Sequence, residues 1–204
     1  MKIAVTTAYD EAYKAITKLT IPTMQRYCKA NGYEFIEHII EESDTPNKSR
    51  HPSWEKIKIL IMLLKEFDAV LWVDADSVFL RNDPIVFQGS ASITFAQDWN
   101  GLCCSAILAV AGTHAIDLLT LVDYLGDVKN PEKYGSTDCK FEQNAFKCII
   151  ENFQKAANQI ALFPPEILAD MQHSWRPTEK TWIFHAGGVS KDYRIAALKR
   201  YLNK

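Results

Sequence analysis

Apolar runs and helical stripes alternate along the first half of the chain. Lys2 to Thr7 is a short apolar run that reads as a strand. From Tyr9 to about Asn31, Ala12, Ile16, Leu19, Met24 and Tyr27 recur at helical spacing. Pro22 is expected to kink or split that helix, and Gly32 to close it as a C-cap. Tyr33 to Ile40 alternates as a strand does, and Glu41 to Pro52 is a polar loop. Trp54 to Phe67 is a strongly amphipathic helix with Ser53 placed as its N-cap. Ala69 to Leu80 then carries a continuous apolar run into Asp74-Ala75-Asp76, followed by a second apolar run. Such a run is the mark of a strand buried on both faces.

The second half begins with a turn signal, Asn82-Asp83-Pro84. Ala91 to Phe95 and Leu102 to Val110 read as strands, joined through Asp98-Trp99-Asn100-Gly101. Thr113 caps a helix to about Leu125, and Gly126 to Thr137 is a loop. Phe141 to Phe153 is helical, Ile160 to Phe163 a short strand, and Met171 to Lys180 an aromatic and basic loop. Trp182 to His185 is a last strand, and a helix runs from about Lys191 to Leu202. Alternating strand and helix predicts an α/β domain, with a mixed, mostly parallel central sheet flanked by helices. The two consecutive strands after Pro84 add an antiparallel part. Two halves, about 1–83 and about 84–204, are expected within one domain.

Composition narrows the function classes. The 204 residues are 48% apolar and 24% charged, ordinary for one globular domain with a real core. A net charge of -2 gives no basic face for nucleic acid. No apolar run reaches the roughly 20 residues needed to span a bilayer. The apolar stretch after Met1 is too short for a signal peptide. Five cysteines without a Cys-x-x-Cys pair predict reduced thiols and no zinc site. A soluble intracellular protein, or one domain of a larger one, is expected, with a monomer the simplest state.

Asp74 and Asp76 fall at the carboxyl end of the long apolar strand, where open α/β sheets place ligand crevices. In an extended chain residues two apart point the same way, so both carboxylates are expected to converge. Like charges that close call for a cation between them, Mg²⁺ or Mn²⁺ by donor type. Such an ion suits a departing diphosphate, whose charge it neutralises. His185 can supply a nitrogen ligand to the same ion. Gly187 and Gly188 would let backbone amides approach a phosphate, and Lys191 adds positive charge at a helix start. The same Asp-x-Asp after an apolar strand also fits a haloacid dehalogenase-like phosphatase with Asp74 as nucleophile.

In these segments the chain resembles the small GT-A-fold glycosyltransferases. It is most similar to the retaining galactosyl, xylosyl and mannosyltransferases of fungal mannan and plant xyloglucan synthesis. The resemblance lies in Asn31-Gly32-Tyr33-Glu34-Phe35-Ile36, in Trp54 to Ile57 leading into Asp74-Ala75-Asp76, in Phe141 to Phe146, and in Phe184-His185-Ala186-Gly187-Gly188. The spacing His-x-x-Gly-x-x-Lys, His185 to Lys191, is more like glycogenin.

The resemblance implies a GT-A nucleotide-diphospho-sugar transferase fold. It implies transfer of a sugar from a nucleotide-sugar donor, UDP-linked, to a hydroxyl of a glycan or other acceptor, with retention. Asp74, Asp76 and His185 would hold the metal, with Ala75 between the carboxylates at the donor. Gly188 and Lys191 would meet the diphosphate. Thr6 and Thr7 would meet the nucleoside, with Tyr9 or Tyr13 stacked on the base. Lys56 would orient the donor, Glu142 and Gln143 would lie beside the transferred sugar, and Asp98 would be an acid near sugar or acceptor. The chain departs from the family at Cys104-Ser105-Ala106, where an Asn that contacts the sugar is usual. That departure leaves the sugar open, and gives footing to a sugar-nucleotide or glycan-binding module without turnover.

Overall fold

The computed structural model describes residues 1–41, 51–84, 91–97, 103–127, 141–170 and 177–202. Its centre is a six-stranded sheet in the order β2-β1-β3-β6-β5-β7. The strands are β1 (Ile3–Tyr9), β2 (Glu34–Ile39), β3 (Ala69–Val73), β5 (Ile93–Gln97), β6 (Cys103–Ala111) and β7 (Ile160–Leu162). β1 runs parallel to both β2 and β3, and β5 parallel to β7, while β6 is antiparallel to β3 and β5. β3 is buried along its whole length, as its unbroken apolar sequence requires.

Alternation along β3 separates two cores. Val70 and Trp72 face the helices α2 (Glu55–Leu63), α3 (Thr113–Asp127) and α4 (Glu142–Asn152), packing with Leu60, Leu119 and Phe146. Ala69, Leu71 and Val73 face α1 (Lys14–Asn31), with Met24 and Tyr27. That second core continues into Phe79, Phe163 and Trp182, where Phe79 stacks on Tyr27 with centroids 3.9 Å apart.

A second, three-stranded sheet has the order β4-β9-β8, from β4 (Ser77–Phe79), β8 (Leu168–Asp170) and β9 (Ile183–His185). β4 and β9 are antiparallel with Ser77 opposite His185. This register carries the C-terminal segment to the end of β3. After the short α5 (Gln154–Ala157), the last helix, α6 (Lys191–Leu202), closes over it through Leu198, which packs with Val78, Phe184 and Ile16 of α1.

Several expected boundaries move. Tyr9 ends β1 instead of starting the helix, because its hydroxyl bonds Glu37 and its carbonyl accepts from Ile40 on the neighbouring strand's exit. A 3₁₀ turn, Glu11–Tyr13, then leads into α1. Pro22 does not split α1. Buried Thr20 and Thr23 flank it and pin the helix, Thr20 to the Ala75 carbonyl at 2.7 Å and Thr23 to the Phe79 amide at 3.2 Å. Gly32 closes α1 with φ 68°, the left-handed conformation that favours glycine. Ser53 is not the N-cap of a helix at Trp54. It lies in a 3₁₀ turn, Pro52–Trp54, whose cap is the His51 ring accepting from the Ser53 amide. The short strands β4 and β8 are separate elements that the sequence pattern does not mark.

Candidate functional site

A cavity of about 510 Å³ opens where β1 and β3 end. Its wall includes Asp10, Tyr13, Lys56, Trp72, Asp74, Asp76, Glu142, Gln143, His185 and Arg194. The volume lies within the range of small-molecule sites, and the place is the one expected for a ligand on an open α/β sheet.

Asp74 and Asp76 do converge, but by a route other than strand alternation. β3 stops at Val73, and Asp74-Ala75-Asp76 turns, with the Ser77 amide donating to the Asp74 carbonyl at 3.0 Å. β4 then pairs with β9, and the Ala186 amide donates to the Asp76 carbonyl at 3.0 Å. His185 Nε2 thereby lies 3.3 Å from Asp76 Oδ1. One ligand atom each from Asp74, Asp76 and His185 lie within 4.8 Å of one another. Two carboxylates and an imidazole are a donor set that fits Mg²⁺ or Mn²⁺.

Gly187 makes room for the imidazole. A Cβ there would overlap its Cε1 and Nε2 atoms. The glycine's part in this structure is to let His185 lie over the backbone. Gly188, which also lines the cavity, takes φ 74°.

Asp76 is almost fully buried, and burial alone would raise its pKa. His185 and Arg194 outweigh burial and hold the carboxyl below its ordinary range. Arg194 Nη1 lies 3.0 Å from Asp76 Oδ2. Asp74 is more open, and its Oδ1 accepts from Trp72 Nε1 at 2.6 Å.

Lys56 joins the carboxylate turn to the far wall. It enters from the first turn of α2 and is 3% exposed. Its ammonium donates to the Ser105 carbonyl at 2.7 Å and to Glu142 Oε1 at 2.8 Å, and lies 3.2 Å from Asp74 Oδ1. Burial favours the neutral amine, but Asp74 and Glu142 overcome it and push the pKa above its ordinary value. Glu142 is buried too. Desolvation opposes its charge, and Lys56, Ser53 and Ser105 hold its pKa below the usual carboxylate range. Ser105 Oγ donates to Glu142 Oε1 at 2.9 Å, and the Ser105 amide to Gln143 Oε1 at 3.3 Å.

The remaining expected residues divide. Tyr13 lines the cavity, and its hydroxyl accepts from Arg194 at 2.8 Å. Tyr9 touches the cavity but is buried, with its hydroxyl given to Glu37. Thr6 and Thr7 are fully buried, and Thr6 donates to the Ile36 carbonyl at 2.9 Å. The end of β1 meets the cavity through Ala8, Tyr9 and Asp10. Lys191 is exposed and donates to the Ala12 carbonyl at 2.8 Å. Asp98 lies outside the described residues, as do the 42–50 and 171–176 segments.

Three side chains of the site were not singled out from the sequence for these roles. Ser105 bonds Lys56, Glu142 and Gln143 from the tripeptide that departs from the resembled family. Trp72 donates to Asp74, two residues on in the same strand exit. Arg194 follows Lys191 by one helical turn, the single signal that both face the same side of α6.

No protein-family model and no curated protein sequence matches the chain. Solved structures do match. A glycosyltransferase involved in glycosylation of the major capsid of the virus PBCV-1 superposes with a TM-score of 0.76 at 14% identity, over 98% of this chain and 100% of that one. The glycosyltransferase GlyE of Streptococcus pneumoniae TIGR4 gives 0.65 at 14% identity, and this chain spans 62% of its length. The galactosyltransferase LgtC, in complex with donor and acceptor sugar analogs, gives 0.63 at 12% identity, over 98% of this chain and 94% of that one. Kinship to the fungal and plant enzymes or to glycogenin is not among these matches. At such identities the likeness is one of architecture, and the chain has the GT-A glycosyltransferase fold.

Proposed function

We propose that this chain is a glycosyltransferase. It moves a sugar from a nucleoside diphosphate donor, UDP-linked in the first instance, to a hydroxyl of a glycan or other acceptor, with retention. The observation that carries this reading is one cavity holding both a metal-type donor set, Asp74, Asp76 and His185, and a buried polar network, Lys56, Glu142, Ser105 and Gln143. The shared GT-A fold supports it.

Asp74, Asp76 and His185 would hold the divalent ion, which when bound neutralises charge on the departing diphosphate. Trp72 and Lys56 both engage Asp74 Oδ1, which leaves Oδ2 of this cavity-lining carboxylate for an ion. His185 and Arg194 fix Asp76. The nucleoside is assigned to the end of β1, against Tyr13, since Tyr9 is buried and Tyr13 is partly exposed. Gln143, held at its carbonyl end by Ser105, presents its amide nitrogen to a sugar hydroxyl. Glu142 shares one carboxylate oxygen between Lys56 and Ser105, and its burial suits charge placement better than nucleophilic attack. With retention taken from the resemblance alone, a front-face route follows from that assignment. Asp98 is kept as an acid near sugar or acceptor on the resemblance alone.

The test is a donor screen, UDP sugars first, with and without Mn²⁺, following hydrolysis and the anomeric configuration of any product. Mn²⁺-dependent release of UDP with a retained anomer is the expected result. An inverted product would remove the front-face route. Trapping of an acyl phosphate at Asp74 would replace the whole reading with phosphatase chemistry.

A further inference from the structure

We propose that Arg194, and not Lys191, is the cation that receives the donor's diphosphate; this rests on the reading of the cavity as a nucleoside diphosphate site. Lys191 is exposed, is not among the cavity's lining residues, and has its ammonium on the Ala12 carbonyl at 2.8 Å. Arg194 lines the cavity with its side chain only 12% exposed.

The guanidinium is held on three sides. Nη1 reaches Asp76 Oδ2 at 3.0 Å and the Tyr13 hydroxyl at 2.8 Å, and Nη2 donates to the Val189 carbonyl at 3.1 Å. Its carbon lies 5.4 Å from the centre of the Tyr13 ring. A guanidinium has five N–H donors. These contacts engage three, and the Nε–H, shielded from solvent, meets no acceptor among the described residues. The Nε–H has almost no accessible surface even with the cavity open, so the donor left for a phosphate oxygen is the second Nη2–H, and a guanidinium matches a phosphate in charge and shape.

The charges around the cavity point the same way. Lys56 and Arg194 are its only Lys or Arg among the described residues, facing Asp10, Asp74, Asp76 and Glu142. The Lys56 ammonium is already spent on Ser105, Glu142 and Asp74. Arg194 is the cation with donors left. Once a divalent ion shares Asp76, that carboxylate no longer balances Arg194, and an anion beside the guanidinium becomes favourable. The diphosphate is then gripped from the carboxylate side through the ion and from α6 through Arg194.

Calorimetry of nucleoside diphosphate binding with Mn²⁺ present separates the two cations. Uridine, cytidine, guanosine and adenosine diphosphates serve as probes, and the matching free nucleoside as control. The expected result is that Arg194→Gln weakens the preferred diphosphate by about tenfold to a hundredfold, the range of a lost charged hydrogen bond. The free nucleoside should bind that variant as it binds wild type, a pattern that general loss of structure would not give. Arg194→Lys should recover part of the loss. Lys191→Ala, at an exposed position, should stay within about twofold of wild type, small against the tenfold that 1.4 kcal/mol brings. Loss of diphosphate binding in Lys191→Ala, or unchanged binding in Arg194→Gln, overturns the assignment of Arg194 alone. Failure of the wild type to bind any of the diphosphates overturns the assignment and the underlying reading together.

Discussion

Lys56 and Glu142 stand 86 positions apart in the chain and meet at 2.8 Å, each 3% exposed at the side chain. One comes from the first turn of α2 and the other from the first turn of α4. The pair ties together two helices on one face of the sheet and places its charge beside Asp74. Removing one partner would strand the other's charge in the interior, a loss of about 3–5 kcal/mol for buried pairs. Lys56→Met and Glu142→Gln are therefore each expected to lower the urea midpoint strongly. The double variant should be less destabilised than the sum of the two.

The same pair sets a pH window. Glu142 has its folded pKa depressed below the ordinary 4.5, so its stabilisation is present above that value and is lost as pH falls through the folded pKa. Lys56 has its folded pKa raised above the ordinary 10.5, so its contribution is complete below that value and is lost as pH rises through the folded pKa. Stability measured by urea at successive pH values should show this plateau between the two limits. Glu142→Gln should flatten the acid limb. An acid limb identical to wild type would remove Glu142 from the account.

Gly187 leaves no space for a methyl group, because the His185 imidazole lies over it. Gly187→Ala should displace the ring from the carboxylates while the core of β4 and β9 keeps the fold. Mn²⁺ affinity is expected to fall by about tenfold or more, as for loss of a ligand's orientation. A variant that binds Mn²⁺ like wild type would show that His185 is not a ligand.

Asp76→Asn removes the carboxylate that His185 and Arg194 share. Metal-dependent turnover should vanish, while circular dichroism and a cooperative melt show the fold retained. Some stability should be lost, on the order of 1–3 kcal/mol, because Arg194 keeps its charge without its partner. Near wild-type turnover in this variant would sink the metal assignment.

What the chain revealed before its structure followed from how local each cause is. β3 is a continuous apolar run and Gly32 a left-handed cap, so both are written in a few adjacent residues. The carboxylates and His185 were also found, because their residue types and motif spacing name the chemistry. The reason for their convergence is not legible in the same residues. A pleated strand and a turn both bring residues two apart together, and only the pairing of Ser77 with His185 decides for the turn. Three-residue strands such as β4 and β8 carry too little pattern to be separated from their surroundings. Tyr9 reads as the start of the helix because its fixation comes from Glu37 on another strand. Lys191 and Arg194 lie one helical turn apart, and sequence could not say which reaches the cavity. That is decided by the Ala12 carbonyl on one side and Asp76 on the other. Ser105 drew notice only as a departure, although its carbonyl, amide and hydroxyl all join the buried network.

Trp72 offers the finest test of how the site is held. Its indole N–H donates to Asp74 Oδ1 at 2.6 Å, and its ring lies 5.2 Å from the Lys56 ammonium. Trp72→Phe keeps an aromatic ring in the core but deletes the donor. The packing loss should be modest, about 1–2 kcal/mol, as for other shape changes in a core. Asp74 would then be held by Lys56 alone and would be free to swing toward it, away from Asp76. Removing a partner that orients a ligand typically costs about tenfold to a hundredfold in metal affinity. Mn²⁺ binding should therefore fall far more than the melting temperature suggests. Equal, small changes in both would mean that the indole serves only to fill space, and that Lys56 is sufficient to aim Asp74 at the cavity.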